Sequence, residues 1–125
     1  MENLEIAATK STPHILFDAA TAHLRIDGES YPENVVKFYA PVFEWLQVYF
    51  ANKVKQVKFE FQIVYFNSST SKIFMSIFDL LEQEAAKGCK IEVLWICDPD
   101  NDVAIECGEE FQEEVEKISF KVDVR

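Results

Sequence analysis

Tyr65-Phe66-Asn67-Ser68-Ser69-Thr70-Ser71-Lys72 sets four consecutive hydroxyl residues between a strand-like run and an amphipathic helix pattern. Hydroxyls at a helix start can cap the free N–H groups of its first turn. They can also carry a phosphate, because those N–H groups and the positive end of the helix dipole favour an anion. One or two hydroxyls suffice for a cap, and four exceed that need. A phosphate there would bring roughly −1.5 to −2 charges at neutral pH. Lys72 adds a positive charge nearby, and no Asp or Glu occurs from Gln62 to Phe78 to repel the anion.

Other chemistries find little support. Cys89, Cys97 and Cys107 are odd in number and form no CxxC pair, and only His14 and His23 could join them around a metal. They read as reduced thiols acting as small hydrophobes. With Gly28, Gly88 and Gly108 as the only glycines, no Walker A loop, GxGxxG or GxSxG can be written. A hydrolase using Ser68 or a cysteine would lack a visible base, because both histidines fall in an N-terminal hairpin. No catalytic residue, cofactor or metal is therefore expected.

The elements that must position the hydroxyls follow from patterning. Gln56–Phe66 alternates, with Val57, Phe59, Phe61, Ile63 and Tyr65 on one face and Lys58, Glu60 and Gln62 on the other, which turns apolar at Val64 and Phe66. After Asn67–Ser71 a helix runs to about Lys87, with Ile73, Phe74, Ile77, Phe78, Leu80 and Leu81 as its stripe and Gly88 just past its end. Upstream, His14–Asp18 and His23–Asp27 read as a hairpin. Gly28-Glu29-Ser30 is expected to break the second strand. Ser30 is expected to cap a long helix over about Pro32–Ala51, with Pro32 in its first turn and Glu33 completing a capping box. Pro41 is expected to kink or break that helix. Downstream, Lys90–Cys97 is a strand, Asp98–Asn101 a turn, Asp102–Glu116 a helix interrupted near Gly108, and Ile118–Val124 a last strand. The result is an α/β fold: a small mixed sheet with helices mainly on one face and right-handed crossovers.

A chain of 125 residues with 49% apolar content fits one domain over residues 1–125 and excludes global disorder. A net charge of −10 argues against nucleic-acid binding. No apolar run is long enough for a membrane span. Met1–Lys10 has two Glu and no apolar stretch, so no signal peptide is read and a cytoplasmic location is expected. The charge is uneven. Asp98–Glu116 holds nine acidic residues and no Lys or Arg, and the rest of the chain carries 13 acidic and 12 basic residues. That stretch reads as a solvated face or as a docking surface for a basic partner. In the second case the protein would be a phosphorylation-independent adaptor.

A strand followed by Asn67-Ser68-Ser69-Thr70 and an apolar helix resembles the phosphorylation loop of STAS-type anti-anti-sigma factors. Those carry Asp-Ser-Ser/Thr-Gly; here Asn67 replaces the Asp and Thr70 the Gly. A closer similarity is to the SiaC family of bacterial regulatory phosphoproteins, over nearly the whole chain. Ser11-Thr12-Pro13, Gly28-Glu29-Ser30-Tyr31-Pro32-Glu33-Asn34, and Tyr65-Phe66-Asn67-Ser68-Ser69 leading into Ile77-Phe78-Asp79-Leu80-Leu81-Glu82 carry it. The resemblance implies a STAS-like fold with no catalytic activity of its own. It implies phosphorylation by a GHKL-type Ser/Thr kinase and removal by a PP2C-type phosphatase. The unphosphorylated form would bind and activate a diguanylate cyclase, raising cyclic-di-GMP and favouring biofilm. The matching position is Ser68, with Ser where the family has Thr, and Ser69 and Thr70 are close competitors. Asn67, Ser69, Thr70, Lys72, Tyr31 and Glu33 are the expected partner contacts.

Overall fold

The computed structural model describes residues Met1–Arg125. Along the chain run β1 (Leu4–Ile6), β2 (His14–Asp18), β3 (His23–Ser30), α1 (Val35–Ala51), β4 (Gln56–Phe66), α2 (Ser68–Ala86), β5 (Lys90–Cys97), α3 (Asp102–Glu114) and β6 (Ser119–Val124). The strands form one sheet in the order β1-β2-β3-β4-β5-β6. β1, β2 and β3 pair antiparallel, and β3 to β6 pair parallel. Neighbours in sequence are neighbours in space, so successive right-handed crossovers lay the three helices on one face.

That face is the core. Ile15, Phe17, Leu24, Ile26, Phe59, Phe61, Val93, Trp95 and Phe120 meet Tyr39, Leu46, Phe74, Phe78 and Phe111 from the helices. The opposite face carries Arg25, Asp27, Lys58, Glu60 and both histidines. Glu60 lies within 4.0 Å of His23, Arg25 and Lys58. Charges in such a row keep that face solvated.

Several expectations from the sequence are corrected. β1 went unseen because three residues are too few to show a period. β3 does not break at Gly28. It continues to Ser30, with Gly28 at φ +116° and a register shift between Gly28 and Glu29. Ser30 is not a helix cap: its side chain is buried, and α1 begins five residues later. Asn34 caps it, accepting from the Lys37 N–H at 3.1 Å, so Pro32 and Glu33 lie in the connecting loop and no capping box forms. α1 runs through Pro41, which sits on the solvent side where the missing N–H bond is tolerated. α3 is unbroken at Gly108, because the glycine is there for space. A Cβ would stand 2.4 Å from Trp95 Cδ1. α3 ends at Glu114, since the Glu82 carboxylate takes the N–H groups of Glu116, Lys117 and Ile118 at 2.6, 2.7 and 2.8 Å.

Candidate phosphorylation site and partner surface

The three sequence stretches that suggest a family lie far apart in the chain and meet at one end of the sheet. The Ser11 carbonyl accepts the Tyr31 N–H at 2.8 Å. The Pro13 Cα stands 3.6 Å from where a Cβ of Gly28 would be. The Ser30 carbonyl accepts the Asn67 N–H at 3.2 Å and the Thr70 hydroxyl at 3.0 Å. The α2 start is thus held against the end of β3. Asn67 caps α2, taking the Thr70 N–H on its side chain at 3.0 Å and the Ser71 N–H on its carbonyl at 3.0 Å.

The hydroxyls divide by depth. Ser68 and Ser69 are exposed, and their side chains have no partner within the chain. Thr70 is 0% exposed, so this expected competitor and partner contact lies beneath the surface. Ser71 is half-buried. Beneath Thr70, Ser30 Oγ lies 3.0 Å from Thr70 Oγ1 and 2.8 Å from the Tyr39 phenol oxygen. Burial pushes the Tyr39 phenol up to about 12, with its Ser30 hydrogen bond a smaller opposing effect. Lys72 is exposed, one turn into α2 from Ser68, and makes no ion pair. Glu33 is exposed in the β3–α1 loop, and Tyr31 is half-buried.

A bulge re-aims the end of β4. Gly28 pairs with Ile63 and Glu29 with Tyr65, so Val64 is the extra residue. The Val64 carbonyl, out of the ladder, accepts from the Asn101 amide at 2.9 Å. Past the bulge the faces swap, which corrects the expected alternation. Phe66 turns into the core against Phe74, Trp95 and Phe111. Tyr65 turns out to 52% exposure, and Val64 to 62%. The exposed Tyr65 ring leans on Tyr31.

Neither imidazole is placed to act on Ser68. His23 pairs with Lys58, about 25 Å back along β4. His14 is held by Asp27 at 3.3 Å on the helix-free face. Burial raises all three cysteine thiols, which disfavours the thiolate nucleophile. No three His, Cys, Asp or Glu side chains converge to hold a metal. All nine acidic residues of 98–116 are exposed, and none makes an ion pair.

Fold and site together define a small α/β domain that presents two open serine hydroxyls on a helix N-terminus and, at the adjoining strand ends, an exposed Tyr65 leaning on a half-buried Tyr31. The chain belongs to the SiaC family: the family model described as SiaC family regulatory phosphoprotein matches residues 6–124. An uncharacterized protein of Pseudomonas aeruginosa (strain UCBPP-PA14) is 33% identical over 114 residues, covering 91% of this chain and 90% of its own length. The structure of SiaC of Pseudomonas aeruginosa superposes with a TM-score of 0.88 at 30% identity, over 98% of this chain and 99% of that one. A chain in the crystal structure of the diguanylate cyclase SiaD in complex with its activator SiaC, from the same organism, superposes with a TM-score of 0.92 at 31% identity, over 98% and 99%. The expected mixed sheet with helices on one face is the fold of these structures. No helix of this chain is long and apolar enough to cross a membrane.

Proposed function

We propose that this chain is a non-catalytic signalling protein whose binding to a diguanylate cyclase is switched by phosphorylation of Ser68. The observation that carries the reading is the Ser68 hydroxyl, exposed and unpartnered at the open N-terminus of α2 in a member of a regulatory phosphoprotein family. A relative, SiaC of Pseudomonas aeruginosa, is described as the activator of the cyclase SiaD, which supports the choice of partner. A GHKL-type Ser/Thr kinase would add the phosphate and a PP2C-type phosphatase would remove it. The reading places the protein in the cytoplasm, in keeping with its three free cysteines.

The switch is local. Unmodified, Asn67, Ser68, Ser69 and Lys72 belong to a segment with no acidic residue of its own, with the Tyr31–Tyr65 ring pair at the adjoining strand ends and Glu33 in the β3–α1 loop. A phosphate on Ser68 is held by the free N–H groups of the first turn and by Lys72, so the fold persists. It places bulk and a dianion where the cyclase must desolvate the surface, and binding is lost. The bound cyclase becomes active and cyclic-di-GMP rises only while Ser68 is free.

The test begins with intact mass of the protein purified from its own cells, with any phosphate mapped by fragmentation. Ser68→Ala should bind and activate the cyclase, and Ser68→Asp should do neither. If Ser68→Asp binds as well as wild type while Gln replacements across 98–116 abolish binding, the protein is a constitutive adaptor docking through its acidic face.

A further inference from the structure

The buried hydroxyls under the modification loop form a chain with one direction. The Ser30 carbonyl can only accept, so the Thr70 hydroxyl spends its single proton on it at 3.0 Å. Thr70 Oγ1 must then accept from Ser30 Oγ, at 3.0 Å. With its own proton so used, Ser30 Oγ must accept from the Tyr39 phenol, at 2.8 Å. Burial keeps that phenol protonated, as this direction requires. Ser30, Tyr39 and Thr70 are all 0% exposed, so bulk solvent does not reach the relay. The chain of bonds joins α1, the end of β3 and the start of α2.

We infer that Thr70 is the positioning residue of the modification loop: its hydroxyl, at the end of a relay from Tyr39 through Ser30, fixes the α2 start so that Ser68 and Ser69 face outward and Thr70 is withheld. Four hydroxyls stand in a row, and the relay decides which of them an enzyme can reach. It also makes the geometry at Ser68 depend on Tyr39, a residue of α1 with no hydrogen bond to residues 67–71. This selects the modified residue and rests on the proposed role of Ser68 only in its second readout.

The experiment compares Thr70→Val, which keeps shape and loses the hydroxyl, with Thr70→Ser, which keeps the hydroxyl. Amide hydrogen exchange is followed at residues 67, 70 and 71 and at the β4 centre, Phe59 and Phe61. In Thr70→Val the loop amides should exchange on the order of tenfold faster relative to β4, about the factor one net hydrogen bond commands. Thr70→Ser should match wild type. Tyr39→Phe should speed the same loop amides by a smaller factor. Equal loop protection in Thr70→Val and Thr70→Ser, or acceleration only in proportion to β4, overturns the inference. If Thr70→Val fails to fold, unchanged loop exchange in Tyr39→Phe overturns it instead. The second readout maps phosphate after treatment with the kinase: Thr70→Val should spread it from Ser68 to Ser69 and Ser71. A wild-type protein that takes no phosphate defeats the Ser68 reading, while the exchange data still decide the relay.

Discussion

The Tyr31 ring meets the Tyr65 ring edge to face, with centroids 5.7 Å apart and planes at 68°. One ring follows β3 and the other ends β4, and the bulge at Val64 brings them together. A rigid aromatic pair held half in solvent is the kind of group that anchors an interface. Tyr65→Ala should weaken cyclase binding by about tenfold or more, with stability changed by no more than about 0.5 kcal/mol. Its neighbour should behave in the opposite way. Phe66→Ala removes a ring packed on Phe74, Trp95 and Phe111 and should cost about 3 kcal/mol in urea unfolding.

Gly108→Ala should destabilise the protein although alanine is the better helix former. The gain in propensity is about 1 kcal/mol. Against it stands a Cβ 2.4 Å from the ring of Trp95, which is fully buried and tied by its indole N–H to the Ala104 carbonyl at 2.9 Å. Overpacking of this sort costs about 1–3 kcal/mol. A lower thermal midpoint for Gly108→Ala, restored in part by adding Trp95→Phe, is the expected pattern.

Glu82 does for the α3–β6 connection what a capping residue does for a helix. Its two carboxylate oxygens accept three backbone N–H groups. A glutamine keeps only one accepting oxygen, so at least one N–H goes without a partner. Glu82→Gln should lower stability by about 1–2 kcal/mol, and Glu82→Ala by more. Urea midpoints at constant m-value measure both.

Alkaline pH should loosen the fold through Tyr39. Its phenol titrates at an ordinary value of 10.0 when unfolded and at about 12 when folded. The unfolded state therefore loses its proton first. The contribution is whole below pH 10 and falls away as pH rises from 10 through 12, by about 3 kcal/mol in all. Burial raises Tyr49 too, which acts in the same direction. Unfolding free energies measured across that window should fall less steeply in Tyr39→Phe than in wild type.

The sheet, the helices and the hydroxyl cluster were legible because each rests on a local pattern. Period-two runs mark β4 and β5, short apolar segments mark the β2–β3 hairpin, and an apolar stripe ending before Gly88 marks α2, although α2 takes in the hydroxyls from Ser68 onward. What escaped notice depends on contacts between distant residues. Ser30 has the type and spacing of a helix cap, yet Tyr39 and Thr70 claim its side chain. Gly108 carries the signal of a helix break, yet answers to a ring on β5. One extra residue at Val64 exchanged the fates of Tyr65 and Phe66, and nothing in the alternation of β4 foretells it. All three helices begin on asparagine, and at α2 the run of hydroxyls after Asn67 competes with it as the cap signal. The bulge could have been suspected from Gly28, since a glycine with positive φ inside a strand run often marks one.

The burial of Thr70 turns the chain into a recorder of its own history. Ser30 and Thr70 stand forty residues apart, so their bond closes only after β3 and β4 have paired. Before that moment the nascent or unfolded chain offers Thr70 as freely as Ser68. Afterwards only the outer serines remain within reach. A phosphate on Ser68 is compatible with a closed molecule, whereas one on Thr70 requires that the α2 start stood open when it was attached, before the domain closed or during a local opening. The ratio of the two marks in a cell extract would separate signalling from encounters during synthesis or after damage.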